Sequence, residues 1–157
     1  TSYFDSGQIG YQGEWKANLP DGHGTRYFGN GQRGYQCEWK TGVPHGRGTA
    51  YDPKTGNKTY EGHYLIGKQS GDGASYFDNG QIEYQGEWKQ GKQDGRVTMY
   101  FDNGQVKYQG ECQKGLPHGH GTAYDPKTGN KTYEGHFILG TRGGNGTRYF
   151  DNGQIEY

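Results

Sequence analysis

Six histidines are the residues of this 157-residue chain best suited to hold a metal, and His118, His120 and His136 stand closest together, two in one short Gly-rich stretch and one further along. Zinc requires a closed set of thiolate, imidazole or carboxylate donors. The histidine positions recur through the chain and are filled elsewhere by Asp, Ser, Arg or Gly, so they read as turn and surface positions and no metal is expected. Glu14, Glu38, Glu87 and Glu111 are candidate general acids or bases, yet they too recur at one phase of a repeat and read as a solvated ladder. A catalytic site needs matched, individually placed groups in a pocket. The pattern predicts no catalytic residue, no cofactor and no enzyme activity.

Two further kinds of reactive group remain. Cys37 and Cys112 lie three repeats apart, about 28 Å at the spacing of β-strands, and a disulfide bridges Cα atoms no more than about 7 Å apart. No bond between them is expected. Asn57-Lys58-Thr59, Asn130-Lys131-Thr132 and Asn145-Gly146-Thr147 match the N-glycosylation acceptor pattern, which is used on exposed surfaces of secreted chains.

The elements that position these groups follow from a repeat. Tyr11, Tyr35, Tyr60, Tyr84, Tyr108 and Tyr133 each open a unit of 24 or 25 residues, and Tyr157 would open a seventh. A second period lies above the first: equivalent tyrosines recur 73 residues apart, and TAYDPKTGNKTYEGH occurs at 49–63 and again at 122–136. Residues 1–157 therefore read as one array with a partial unit at 1–10 and three-unit modules at 11–83 and 84–156. Because residues 3–11 match 149–157 in phase, the chain reads as an excerpt of a longer array. Units of this size are stabilised by stacking on their neighbours.

Leu, Ile, Val and Phe together number 18, few enough to suggest disorder in an ordinary chain. However, net charge is zero, and 24 aromatic residues and 32 glycines recur in phase. Rings stacking from unit to unit can supply the missing burial. The 17 basic and 17 acidic residues are mixed within each unit, leaving no basic stripe for nucleic acid and little attraction to an anionic membrane. No signal peptide and no apolar run of membrane-spanning length are visible.

In Tyr84-Gln-Gly-Glu-Trp-Lys89, strand alternation puts Tyr84, Gly86 and Trp88 on one face and Gln85, Glu87 and Lys89 on the other. The Gly, Pro, His and Asp of residues 19–24, 43–48 and 116–121 read as the turn to a second strand, such as Gly121 to Tyr124. Asp-Asn-Gly-Gln at 78–81, 102–105 and 151–154 then predicts a two-residue type I′ turn to the next unit, and the longer Asp-Pro-Lys-Thr-Gly-Asn at 52–57 and 125–130 accounts for the 25-residue units. The expected fold is all-β: an elongated, twisted, open antiparallel meander of hairpins in a single layer.

Tyr-x-Gly-x-Trp followed by His-Gly-x-Gly-Thr and Tyr, seen from Tyr35 through Thr49 and, with Cys112 for Trp, from Tyr108 through Thr122, resembles the MORN repeat (membrane occupation and recognition nexus). The links look most like variant units of bacteria and protists. The resemblance implies a sheet with an aromatic groove and a role in scaffolding, protein interaction or tethering near membranes. It also implies an intracellular setting, whereas use of the Asn-x-Thr sites would require an extracellular one. MORN arrays in lysine methyltransferases and plant phosphatidylinositol phosphate kinases accompany a separate catalytic domain, so the repeats themselves are not expected to catalyse. Several units depart from the pattern: Cys37 replaces a strand Gly, Val97 takes a turn-glycine position, Tyr64 and Phe137 replace Trp, and His63 and His136 replace Glu.

The expected function is a non-catalytic structural or interaction scaffold, acting on a protein partner or on further copies of itself, including as a fibre. The expected binding positions are Tyr11, Trp15, Tyr35, Trp39, Tyr60, Tyr64, Tyr84, Trp88, Tyr108, Tyr133 and Phe137. The alternative is a regulatory or membrane-tethering module of a larger enzyme.

Overall fold

Chain reversal uses two kinds of turn in alternation. Within each repeat the strands are joined by two residues: Ala17-Asn18, Thr41-Gly42, Ile66-Gly67, Gln90-Gly91, Lys114-Gly115 and Leu139-Gly140. Both residues of every pair have positive φ, 47–52° at the first and 63–86° at the second. That is type I′ geometry, whose twist matches the strands it joins. Between repeats the loop is longer. Phe77 N donates to Gln81 O at 2.8 Å and Gly80 N to Phe77 O at 2.9 Å, with Gly80 at φ 84°. This is a three-residue hairpin loop ending in a left-handed glycine. The Asp-Asn-Gly-Gln links are therefore not the type I′ turns expected of them, because Asn-Gly also suits a longer loop that needs one left-handed residue. In the 25-residue units Gly56 N reaches Asp52 O at 2.9 Å, adding one residue to the loop.

These turns separate fourteen strands in the computed structural model, which describes residues 1–156; Tyr157, the start of a seventh unit, lies outside them. The strands are β1 (Ser2–Tyr3), β2 (Ile9–Lys16), β3 (Leu19–Tyr27), β4 (Arg33–Lys40), β5 (Val43–Tyr51), β6 (Lys58–Leu65) and β7 (Lys68–Tyr76). They continue with β8 (Ile82–Lys89), β9 (Lys92–Tyr100), β10 (Val106–Gln113), β11 (Leu116–Tyr124), β12 (Lys131–Ile138), β13 (Thr141–Tyr149) and β14 (Ile155–Glu156). All pair antiparallel in chain order in one open sheet, about 60 Å across at 4.8 Å per strand.

Residues 19–24, 43–48 and 116–121 lie inside β3, β5 and β11 rather than in turns. They form a bulge. Gly13 pairs with Gly24 and Trp15 with Pro20, so three residues of β3 stand opposite Glu14 alone. Gly22 takes φ 97° there, and a Cβ on it would meet the Glu14 carboxyl carbon at 2.7 Å. A strand bulge and a reverse turn favour the same residues, which is why the sequence suggested a turn. The glutamates are not a free solvated ladder either. Glu14 Oε1 accepts the His23 N–H at 2.9 Å, Glu87 Oε1 that of Arg96 at 3.2 Å and Glu38 Oε1 that of Arg47 at 3.5 Å, each capping a bulge.

The register aligns one row straight across the sheet: Gly13, Gly24, Cys37, Gly48, Gly62, Gly73, Gly86, Val97, Gly110, Gly121, Gly135 and Gly146. Tyrosine rings lie back over this row. A Cβ on Gly24, Gly73, Gly121 or Gly146 would fall inside the ring of Tyr11, Tyr60, Tyr108 or Tyr133. The folded-back hydroxyls donate to main-chain carbonyls three residues on: Tyr60 to His63 at 3.0 Å, Tyr84 to Glu87 at 2.8 Å and Tyr108 to Glu111 at 2.7 Å. Tyr11 and Tyr133 make the same bond, at 3.2 and 3.0 Å.

Gly121→Ala should lower stability by about 1–3 kcal/mol, the usual cost of overpacking. Phe137 sits 5.0 Å from the Tyr108 ring and closes the space into which that ring would retreat. Urea denaturation followed by near-ultraviolet dichroism measures the loss.

Candidate functional site

A single-layer sheet can hide rings on one face only if they cover one another. Here they do so by edge-to-face pairing. Tyr11 meets Trp15 and Trp39 at 5.2 and 5.4 Å, Tyr60 meets Tyr64 and Trp88 at 5.2 and 5.0 Å, and Tyr133 meets Phe137 at 5.1 Å. Each such pair contributes about 0.5–1.5 kcal/mol beyond area burial. Of the eleven ring positions proposed from sequence, Tyr11, Trp39, Tyr60, Tyr64, Tyr84, Trp88, Tyr108, Tyr133 and Phe137 are 2–8% exposed. Only Trp15, at 41%, and Tyr35, at 36%, face solvent. These nine rings fill their face, and the groove of the sheet lies on the other.

That opposite face is polar and carries a groove of about 760 Å³ across units two to four, lined by Gln36, Arg47, Thr49, Glu61, Tyr76 and Gln85 among others. Tyr76 in its wall belongs to a second row of tyrosines along the sheet, none of them among the positions expected from sequence. Each donates to the amide or carboxylate fifteen residues earlier: Tyr51 to Gln36 at 3.3 Å, Tyr76 to Glu61 at 3.2 Å and Tyr124 to Gln109 at 3.0 Å. Tyr27, Tyr100 and Tyr149 do likewise with Gln12, Gln85 and Glu134 at 3.5, 3.5 and 3.2 Å. The constant separation was available as a signal in the repeat.

Several charges along this face are paired. Lys58 Nζ binds Glu61 Oε2 at 2.7 Å and lies 5.1 Å from the Tyr76 ring centre, while Arg33 stacks 4.8 Å over Tyr51. The hydrogen bond from Lys58 holds the Glu61 carboxyl below its usual range and raises the Lys58 ammonium in turn. Lys131 and Glu134 repeat the arrangement at 2.9 Å.

Of the three histidines considered for a metal, two meet. The His120 and His136 rings stand 5.0 Å apart on the polar face. His118 points elsewhere, its Nδ1 accepting the Leu139 N–H at 3.4 Å, as Asp21 Oδ2 accepts that of Thr41 at 3.2 Å. That position caps the turn of the following hairpin. Among the described residues no group of three or more metal-ligating side chains comes together. Cys37 in β4 and Cys112 in β10 are buried, unbonded and six strands apart. Burial pushes the Cys37 thiol up to about 12.

The glycosylation candidates divide. Asn57 Nδ2 donates to Asp78 O at 2.9 Å and Asn130 Nδ2 to Asp151 O at 2.7 Å. They belong to a ladder in which Asn30, Asn79 and Asn103 likewise bridge to the next link, at 2.6–2.8 Å. Asn145 is exposed on β13 and its side chain has no hydrogen-bond partner among the described residues.

The sequence model of the MORN repeat matches residues 11–33, 35–55, 84–106, 108–128 and 133–155. The chain belongs to the MORN repeat family. The unit from Tyr60, which lies outside those matches, pairs in the same register as its neighbours and completes the MORN array. No curated protein matches the chain.

Two measurements follow. Burial pushes the Tyr60 and Tyr108 phenols up to about 12 and drives Tyr64 and Tyr84 higher still, whereas an unfolded chain ionises near pH 10. The folded MORN array keeps these protons after the unfolded chain has lost them. Stability from this source is full below pH 10 and falls as pH rises from about 10 through 12. The melting temperature should fall steeply across that window, with core phenolate absorbance appearing only on unfolding. On a secretory route, glycosidase-sensitive mass should map to Asn145 and not to Asn57 or Asn130, whose amides are held in the ladder.

Proposed function

We propose that this MORN array is a non-catalytic interaction scaffold whose polar groove receives an extended segment of a protein partner. The groove itself carries the reading: about 760 Å³ of open concavity bounded by amides, hydroxyls, a guanidinium and carboxylates, on the face opposite rings already committed to one another. An extended peptide offers alternating backbone donors and acceptors, which such a lining can satisfy in series along a regular surface. Glu14, Glu38 and Glu87 are engaged in capping bulges, and Glu61 and Glu134 in ion pairs. This supports recognition over acid–base chemistry, which needs a group poised to exchange its proton.

Peptides selected from a random library against the intact chain should lose about tenfold or more in affinity with the triple variant Arg47→Ala, Thr49→Ala and Gln85→Ala. They should bind Trp15→Ala unchanged. Loss of binding with Trp15→Ala and retention by the triple variant would move recognition to the exposed aromatic end and overturn the groove assignment.

A further inference from the structure

The fold sorts charges that the sequence mixes. All six two-residue turns project from one flank of the sheet and all the links between repeats from the other. The turns and their bordering residues on the first flank carry Lys16, Lys40, Lys68, Lys89, Lys92 and Lys114, against Asp21 and Asp94 just inside it, the former capping the Thr41 turn. The links and their bordering residues on the second carry Asp5, Asp52, Asp78, Asp102, Asp125 and Asp151, against Lys54 and Lys127 within the links and Arg33, Lys58 and Lys131 at their borders. Cations of the strands next to the links are engaged within the molecule: Arg33 over Tyr51, Lys107 over Phe101, Lys58 with Glu61 and Lys131 with Glu134. A net charge of zero thus conceals two flanks of opposite sign.

The flanks also match in pitch. Turns recur every two strands, as do links, so both flanks present a group about every 10 Å. Hydrogen bonds hold that spacing: each turn glycine donates to the preceding hairpin, as from Gly42 to Pro20 O and Gly91 to Gln69 O, both at 2.9 Å. Between the lysines stand Leu65, Ile66, Ile138 and Leu139, at 54–72% exposure, once in each 73-residue module. On the link flank Phe4 and Phe150 are exposed at 40% and 50%, at the two ends of the array.

We propose that copies of this chain associate side by side, the lysine flank of one seated on the aspartate flank of the next. The complementary surface is carried by the chain itself at the same pitch, which favours a second copy over any other anionic occupant. Such a contact joins two different surfaces and leaves one of each free, so association propagates into layers rather than closing as a dimer. It uses neither the groove nor the buried rings, and it stands or falls independently of the peptide reading.

Sedimentation velocity of the intact chain tests it. At low ionic strength the weight-average mass should rise with concentration, and it should return to that of a monomer near 1 M salt, where the Debye length is about 3 Å. One variant carries Lys40→Glu, Lys68→Glu and Lys114→Glu, and a second carries Asp78→Lys, Asp102→Lys and Asp151→Lys, all at exposed positions. Each alone should lose association while keeping the near-ultraviolet spectrum of the aromatic face, and an equimolar mixture should regain it. A wild-type chain that stays monomeric at low salt overturns the proposal, and so does a mixture of folded variants that fails to associate. Binding to anionic vesicles by a chain that does not self-associate overturns it too, giving the lysine flank to a membrane.

Discussion

A tyrosine ring folds back across this β-sheet where the backbone row beneath it leaves room, nearly always by being glycine, and this steric condition governs the rest of the molecule. The glycine row provides the path. The ring crosses it, the hydroxyl finds a carbonyl three residues on, and the next unit's Trp, Tyr or Phe closes against the ring edge. Without the row the rings would stand upright from a one-layer sheet and remain in water. With it, a chain with very few aliphatic residues buries an aromatic face, and the opposite face is left free to carry polar groups and a groove.

Two natural exceptions within the chain test the condition. In unit two Cys37 occupies the row and Tyr35 turns outward to 36% exposure. The buried cluster divides at this place, with Tyr11, Cys37 and Trp39 in one part and the rings from Tyr60 onward in the other. Unit four also has bulk in the row, Val97, yet Tyr84 remains buried. There Cys112 stands where other units have a large ring, and it is buried in the same cluster as Val97 and Tyr84.

Much of this was legible beforehand because a repeat reports each position six times. Strand phase, the face shared by Tyr84, Gly86 and Trp88, the meander order and the distance between the cysteines all followed from spacing. What was not legible depended on which of two geometries a turn-forming residue serves. Asn-Gly marked a loop correctly but not its length, and Pro-His-Gly marked a bulge that looked like a reversal. The site was harder still. Aromatic residues advertise a binding surface whether they are exposed or packed together, and only the glycine row, read across strands rather than along them, separates the two cases. The second tyrosine row and the segregation of lysine from aspartate are likewise properties of neighbouring strands.

Every strand pairs only with the strand before and after it in the chain, so no contact requires a long stretch of chain to be brought back on itself. Loop-closure entropy is correspondingly small throughout, and ordering can begin at any hairpin and spread in both directions. The same locality has an evolutionary reading. Copying a 73-residue module lengthens the sheet by six strands, about 29 Å, without rethreading anything already folded. Length in this architecture is a quantity that duplication can set directly, one module at a time.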